Sequence, residues 1–227
     1  MSGTIQELYA ECCGGTKIPA LIEEKARWML RLLPAARVAD IGGMWLCNGF
    51  YSYLAATRGA EHVTLVDAQS TERFHQINQR VRNVEWVNAD FYHGLKDGSL
   101  AATLHGPLDA LIVYDVVLHQ PEPIHFLAGI LEATGARRAV IANPVLARSA
   151  RRNDLVFAPY SEAFKRQTGF EYSRGLGDRA GWTWVFSHGF LLNLMKYLKL
   201  RVVEEKLLPH WDRKAGLAYS LLLVERD

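Results

Sequence analysis

The sequence predicts an α/β fold with a doubly wound sheet of seven strands, of which the last is antiparallel. Two observations carry this prediction. Short apolar runs alternate with segments of helical length over the first two thirds of the chain, and two further runs near its C-terminus are joined by a short polar connection. Alternating strands and helices are typical of parallel pairing, since a parallel crossover needs a dozen or more residues, whereas a short connection allows only an antiparallel hairpin.

Each element follows from its local pattern. An amphipathic helix is predicted over residues 18–33, inside an N-terminal helical segment of residues 1–34 that a proline ends. The next five apolar runs predict strands at 37–41, 62–67, 84–88, 110–114 and 138–142. The segments between them predict helices at 50–58, 70–81 and 123–134. A helix at 187–198 then precedes the two hairpin strands, 201–208 and 217–224.

Length and composition predict a single domain over residues 1–227. The chain has 26 Lys+Arg and 24 Asp+Glu, and its 49% apolar and 22% charged residues are typical of a soluble globular protein. Three cysteines without a CxxC spacing indicate neither a disulfide framework nor a zinc site, and they favour a cytoplasmic location. No secretory leader is recognisable, and no apolar run approaches the roughly 18 residues of a membrane span.

Residues 145–184 interrupt the regular alternation and are predicted to form a lid or substrate-binding insert. This region is basic, because nine Lys+Arg and four Asp+Glu lie between Arg137 and Arg179. The net charge of the whole chain is only +2, which argues against a surface that binds nucleic acid everywhere. An anionic partner would therefore have to bind at the insert. Its rings and arginines are Phe157, Tyr160, Tyr172, Trp182, Trp184, Arg148, Arg151, Arg152, Arg174 and Arg179.

Acidic residues recur at the carboxyl ends of the first four predicted strands, where an open α/β sheet binds its ligands. They are Asp40, Asp67, Asp90 and Asp115. The first strand is also followed by Gly42, Gly43 and Gly49, which would let a ligand approach the backbone closely. An acid after the second strand can accept hydrogen bonds from ribose hydroxyl groups. One such acid could equally be a helix cap, but one per strand indicates a ligand site.

Over roughly residues 37–224 this arrangement resembles the class I S-adenosylmethionine-dependent methyltransferases. The run VADIGGMWLCNGFYSYLAA is similar to the first motif of that family, VTLVDAQ to its second, VNADFY to its third and DALIVYDVVLH to its fourth. The closing hairpin is similar to the end of the family's seven-stranded, Rossmann-like sheet. The glycine motif departs from the family's D-x-G-x-G-x-G by being a few residues longer.

The resemblance implies S-adenosylmethionine as the cofactor and a set of residues that would bind it. Gly42 and Gly43 would pass beneath its methionine part, and Asp67 would hold the ribose. No metal ligand is implied. The implied cofactor-binding residues are Asp40, Gly42, Gly43, Gly49, Asp67, Ala68, Asp90, Phe91, Tyr114 and Asp115.

In this resemblance, residues of the second, third and fourth motifs would contact the adenine and close the entrance of the pocket. Ala68 would border the adenine, Asp90 would accept a hydrogen bond from its amino group, and Phe91 would pack against its ring. Tyr114 and Asp115 would close the cofactor pocket. The family therefore implies a contact for residues after each of the second, third and fourth strands.

Two histidines are candidates for the chemistry. Methyl transfer requires an aligned acceptor, exclusion of water and, for a hydroxyl or amine acceptor, removal of a proton. His119 lies four residues beyond Asp115 and is the predicted general base, since histidine can take a proton near neutral pH. It could equally only shape the pocket. His188 opens the last long helix, close to Trp182 and Trp184, and could face the acceptor from the lid.

The sequence thus predicts an enzyme that methylates a small-molecule acceptor at oxygen. The rings and arginines of the insert would suit a flat, anionic or polar acceptor, and also stacked RNA bases. The runs DIGGMWLCNGFYS and YDVVLHQPEPIHFL also resemble a subgroup that includes the tRNA wobble-uridine carboxymethyl transferases, so an RNA-modifying enzyme is the alternative. A dinucleotide oxidoreductase is disfavoured by the absence of G-x-G-x-x-G, and a non-catalytic cofactor-binding protein is the last alternative. The oligomeric state cannot be inferred.

Overall fold

The computed structural model describes residues 4–44, 47–104, 107–147, 153–159, 182–212 and 217–226. Strands and helices alternate along them. The strands are β1 (Ala35–Ile41), β2 (Ala60–Asp67), β3 (Val84–Asn88), β4 (Ala110–Tyr114), β5 (Arg138–Leu146), β6 (Leu155–Pro159), β7 (Trp182–Phe186), β8 (Leu200–Asp212) and β9 (Leu217–Arg226). The helices are α1 (Ile5–Cys13), α2 (Ala20–Leu30), α3 (Phe50–Thr57), α4 (Glu72–Asn78), α5 (Phe91–Lys96), α6 (Ser99–Thr103), α7 (Pro123–Thr134) and α8 (His188–Tyr197), with a 3-10 turn at Val117–His119.

All of these strands belong to one sheet. Seven of them follow the order β3-β2-β1-β4-β5-β9-β8, in which β9 is antiparallel to both of its neighbours. The predicted doubly wound sheet with an antiparallel last strand is therefore confirmed. The strand order reverses between β1 and β4, which places the expected ligand crevice at the carboxyl ends of these two strands.

The sheet has two strands more than the seven predicted. Strands β6 and β7 pair antiparallel with each other, and Phe186 of β7 pairs with Val145 of β5. Strand β6 lies within the predicted insert 145–184 and β7 begins within it, so the described ends of the insert extend the sheet. The rest of the insert lies outside the described residues, including the predicted contact residues Arg148, Arg151, Arg152, Tyr160, Tyr172, Arg174 and Arg179.

Local capping explains where several helices begin and end. Helix α7 has the predicted bounds, because Pro123 occupies its first turn and Gly135 closes it with φ +56°. The N-terminal segment holds two helices where one was predicted. Helix α1 starts with a capping box between Thr4 and Glu7 and ends at Gly14. Helices α5 and α6 were not predicted, since each is too short to show a repeating apolar face.

Two apolar layers cover the sheet, one on each face. Helices α1 to α4 pack on what we call the first face, and α5 to α8 pack on the second face. Successive side chains of a strand point to opposite faces, so Ile112 and Tyr114 of β4 join the first layer while Leu111 and Val113 join the second. Within the described residues, none of the helices is long and apolar enough to span a membrane.

Candidate functional site

Residues 42–44 and 47–49, here called the glycine loop, follow β1 in a conformation that its glycines make possible. Gly42 has φ +74°, and its N–H donates to the Val66 carbonyl at 2.8 Å, which holds the loop against β2. A Cβ added to Gly43 would lie 2.5 Å from the carboxyl carbon of Asp40 and closer still to one of its oxygens. The loop therefore closes over a carboxylate that leaves no room for a side chain at this position. Trp45 and Leu46 lie outside the described residues.

Asp40 is buried beneath the glycine loop. Its Oδ2 accepts a hydrogen bond from the Ser52 hydroxyl of α3 at 2.7 Å. Burial raises the pKa of Asp40 to about 7, and the hydrogen bond from Ser52 offsets only part of this effect. In this structure Asp40 supports the loop from below. Its predicted contact with the cofactor stays a prediction.

The raised pKa of Asp40 makes stability depend on pH. The folded protein holds this proton up to about pH 7, whereas the ordinary pKa is 3.8. The contribution of Asp40 to the free energy of unfolding is therefore fully present below that ordinary value and is lost as the pH rises towards 7. The loss amounts to a few kcal/mol, since one pKa unit corresponds to about 1.4 kcal/mol. Urea unfolding at pH 5 and pH 8 should show most of this decrease in the wild type and not in Asp40→Asn, and equal decreases in both would contradict it.

Asp67, at the end of β2, faces the glycine loop. Its Oδ2 accepts the N–H of Met44 at 3.1 Å, and its Oδ1 accepts the N–H of Gln69 at 3.3 Å. Burial raises the pKa of Asp67, and the hydrogen bonds from backbone N–H groups oppose that rise. A carboxylate offers about four acceptor positions, and the backbone N–H groups of Met44, Gln69 and Ala68 do not use all of them, so Asp67 keeps acceptor capacity for neighbouring hydroxyl groups. Ala68, next to it, is half-buried.

The third motif has local structural partners. The Asp90 carboxylate accepts the N–H of His93 at 3.2 Å and lies 3.1 Å from Nδ1 of the same residue, at the start of α5. Phe91 is buried in the second layer, where its ring centroid lies 5.7 Å from that of Phe126. The structure thus places Asp90 at a helix start and Phe91 in the core. Their contacts with adenine stay a prediction.

A polar cluster that the sequence did not predict surrounds Asp115. This residue has φ +55°, and its carboxylate accepts hydrogen bonds from Nζ of Lys25 in α2 and from the Tyr219 hydroxyl of β9. The Lys25 side chain is 4% exposed, whereas that of Asp115 is 37% exposed. Nζ of Lys25 also lies 5.3 Å from the ring centroid of Tyr114 and 4.9 Å from that of Tyr219. In this ion pair, Lys25 is therefore buried and Asp115 is partly exposed to solvent.

The tyrosines of this cluster include one hydroxyl that has no hydrogen-bond partner in the described part of the chain. Tyr114 donates its hydroxyl to the Lys25 carbonyl at 2.9 Å, which ties α2 to β4. The ring of Tyr51 packs edge-on to that of Tyr114 at 4.9 Å, but its buried hydroxyl forms no hydrogen bond with the described residues. Burial raises the pKa of both tyrosines well above the ordinary value, so they stay protonated. An unpaired buried hydroxyl indicates a missing partner, such as a ligand group or a water molecule.

The sequence did contain a pattern that could have identified Lys25. This lysine stands in a run of charged residues, a pattern that favours the solvent face of α2. It nevertheless lies at helical spacing from apolar residues on both sides, Leu21 and Ile22 before it and Trp28 and Met29 after it. A lysine within the apolar stripe of a helix must be paired where it is buried.

The two candidate histidines lie in different surroundings. His119 is half-buried and ends the 3-10 turn after β4, and this turn meets the glycine loop where Val116 lies against Gly42. His188 is 8% exposed, with Nδ1 2.8 Å from the Ser220 hydroxyl and Nε2 3.3 Å from Glu205. Helix α8 packs on the second face, whereas the side chains around Asp115 lie on the first. His119 therefore lies at the strand ends. His188 begins α8, and its ring packs against the closing hairpin.

No model of a protein family matches the chain, and neither does any sequence among well-characterised proteins. Solved structures do match. Coclaurine N-methyltransferase, bound to N-methylheliamine and S-adenosylhomocysteine, has 13% identity and a TM-score of 0.62 over 99% of this chain and 80% of that one. The 1,6-didemethyltoxoflavin-N1-methyltransferase of Burkholderia thailandensis, with its namesake compound and S-adenosylhomocysteine bound, has 18% identity and a TM-score of 0.59 over 90% and 80%.

The cyclase SpnF is also similar, with 12% identity and a TM-score of 0.60 over 90% of this chain and 81% of that one. One fold therefore serves methyltransferases and a [4+2]-cyclase. At identities this low the likeness establishes the fold alone, and the activity has to be argued from the residues at the strand ends.

Proposed function

We propose that this chain, which has the fold of the class I S-adenosylmethionine-dependent methyltransferases, transfers a methyl group from S-adenosylmethionine to a small-molecule acceptor. One observation carries the proposal. The glycine loop folds over Asp40 and hydrogen-bonds through the Met44 N–H to Asp67, at the point where the strand order reverses. A backbone that a ligand can approach closely therefore lies next to a carboxylate that can accept further hydrogen bonds.

The polar groups at this edge of the sheet suit the parts of that cofactor. Asp67 would accept from the two ribose hydroxyl groups through its remaining acceptor positions. The methionine part of the cofactor carries an ammonium and a carboxylate. The negative charge of Asp115 would attract the ammonium. Lys25 and the unpaired Tyr51 hydroxyl would donate hydrogen bonds to the carboxylate. The buried hydroxyl of Tyr51 would then gain the partner that it lacks.

The chain's own residues would prepare the acceptor. The cofactor, when bound, supplies an electrophilic methyl group on a sulfonium. His119, on the turn beside the glycine loop, would remove the proton of an acceptor hydroxyl, since an imidazole can accept a proton near neutral pH. Asp115 is less suited to that task because Lys25 and Tyr219 already hold its carboxylate. We assign His188 no role in the reaction, since both of its ring nitrogens have neighbours inside the protein.

The alternatives have less support in the described residues. Strand β9, antiparallel between β5 and β8, is typical of the methyltransferase sheet and counts against a dinucleotide oxidoreductase. An RNA substrate would depend on the basic insert, most of which lies outside the described residues. No contact among the described residues favours it.

Calorimetric titration with S-adenosylmethionine, S-adenosylhomocysteine and NAD tests the proposed cofactor. Binding of both adenosyl compounds and not of NAD is expected. Binding of NAD alone would overturn the proposal. Production of S-adenosylhomocysteine in the presence of a panel of small hydroxyl compounds then separates an enzyme from a protein that only binds the cofactor.

His119→Ala should lower the rate of methyl transfer about 100-fold while leaving cofactor affinity unchanged, because general base catalysis contributes at least that factor. His125→Ala is the matched control, since His125 is an exposed histidine on the neighbouring helix α7. Full activity of His119→Ala would eliminate the base assignment.

A further inference from the structure

Cys47 of the glycine loop is hydrogen-bonded to the end of helix α1. The Cys13 thiol, at the end of α1, donates to the Cys47 carbonyl at 3.6 Å. Beside it, the Asn48 side chain donates to the Cys12 carbonyl at 2.8 Å. These contacts join residues 34 and 36 positions apart in the chain. The N-terminal helix therefore supports the loop that we place against the cofactor.

The three cysteines differ in their surroundings. Cys12 is completely buried, and burial raises its pKa to about 12. Cys47 is nearly buried, and contact with the Cys13 thiol, together with burial, raises its pKa strongly. Cys13 is partly exposed and is therefore the thiol that a reagent reaches first. All three are free thiols in this structure.

We infer that Cys13 and Cys47 are a site of reversible oxidation, whose disulfide joins α1 to the glycine loop and weakens cofactor binding. The oxidant is a small disulfide such as oxidised glutathione. The Cys13 thiol loses its proton, and the resulting thiolate attacks one sulfur of that disulfide and displaces the first glutathione thiolate. The Cys47 thiol then loses its proton, attacks the Cys13 sulfur of the mixed disulfide and displaces the second glutathione thiolate. One S–S bond forms in the protein, one is lost from glutathione, and the two glutathione thiolates take up the protons of the two cysteines. Only the effect on binding rests on the proposed function.

Formation of this bond requires the Cys47 sulfur to come within bonding distance of the Cys13 sulfur, which changes the contact between Cys13 and the loop. A disulfide has an S–S length of about 2.05 Å, whereas the Cys13 sulfur contacts the backbone carbonyl of Cys47 in the reduced protein. That carbonyl also accepts the N–H of Phe50 at 2.9 Å, at the start of α3. The adjacent Asn48 N–H donates to the carbonyl of Met44, whose own N–H reaches Asp67. A shift at Cys47 therefore reaches the carboxylate that would hold the ribose.

Oxidation of the full chain with oxidised glutathione, followed by peptide mapping under non-reducing conditions, tests the bond. A Cys13–Cys47 crosslink that dithiothreitol reverses is expected. Cys13→Ser should not form it, whereas Cys12→Ala should, because Cys12 is the adjacent and inaccessible thiol. A stable glutathione adduct on Cys13, or a crosslink between Cys12 and Cys13, would overturn the inference.

Calorimetry on the reduced, oxidised and re-reduced protein tests the consequence. Affinity for S-adenosylmethionine should fall about tenfold or more on oxidation, a change of about 1.4 kcal/mol, and should return on reduction. Cys13→Ser treated in the same way should keep its affinity. A crosslinked protein with unchanged affinity would overturn the regulatory effect. Failure of the reduced protein to bind the cofactor would overturn the proposed function, while peptide mapping would still decide on the disulfide.

Discussion

Gly43→Ala is expected to abolish cofactor binding and to lower the free energy of unfolding by about 3 kcal/mol, the upper part of the range for an overpacked core. The added methyl group would lie 2.5 Å from the carboxyl carbon of Asp40. That carboxylate is buried and held by Ser52, so it cannot move aside without losing its hydrogen bond. The glycine loop would have to lift, which would also break its contact with Asp67. Urea unfolding and calorimetry measure the two effects.

Gly129→Ala is the matched control for this substitution. Its added methyl group would meet only the side chain of Leu95, at 3.2 Å, and that side chain can adjust. Gly129 also lies inside α7, where alanine favours the helix by up to about 1 kcal/mol. Cofactor affinity should be unchanged. A Gly43→Ala protein as stable as the control would show that the loop does not close over Asp40 in this way.

Asp67→Ala should weaken binding of S-adenosylmethionine about 100-fold or more, since each hydrogen bond to a charged group contributes about 1.5–3 kcal/mol. Two such bonds to the ribose would be lost. The contact with the Met44 N–H would be lost as well, so the glycine loop would lose its anchor on β2. Asp67→Asn keeps the shape and one acceptor oxygen, and it should show an intermediate loss. Calorimetric titration of the three proteins gives the comparison.

Asp97→Ala is the control for removing a carboxylate that accepts a hydrogen bond from a backbone N–H in the turn that follows it. Asp97, like Asp67, accepts the N–H of the residue two positions on, here Ser99 at 2.9 Å. Asp97 lies before α6, away from the glycine loop, so its loss should not change cofactor affinity. Wild-type affinity in Asp67→Ala would show that the second strand's acid does not hold the cofactor.

Periodicity predicted most of the sheet because each βα unit carries its own local pattern. Helix α7 has its predicted bounds since both of its ends are marked by proline and glycine. Strands β6 and β7 were missed because their pairing partners lie far along the chain, and the break in alternation favoured a lid. Their membership of the sheet depends on the contact between Val145 and Phe186, which no local pattern encodes.

The position of a candidate site residue was predictable where it depends only on that residue's own strand. Asp67 and Gly43 follow directly from strand ends and close backbone approach. The partners of Asp115 were not predictable, since Lys25 and Tyr219 come from a helix and a strand at opposite ends of the chain. The neighbours of His188 were not predictable for the same reason, since they come from another part of the chain. Its neighbours Ser220 and Glu205 reach it only when the closing hairpin packs on α8.

The cluster around Asp115 has a consequence for how the chain acquires its site during synthesis. Lys25 lies 90 positions before Asp115, and Tyr219 lies 104 positions after it. Contacts between residues so far apart form slowly, because a long loop must close before the contact contributes. A ribosome-bound chain that has not yet released β9 lacks one of the two donors to this carboxylate. Capture of the ligand through this cluster would therefore have to wait until β9 has been synthesised and has paired with β5.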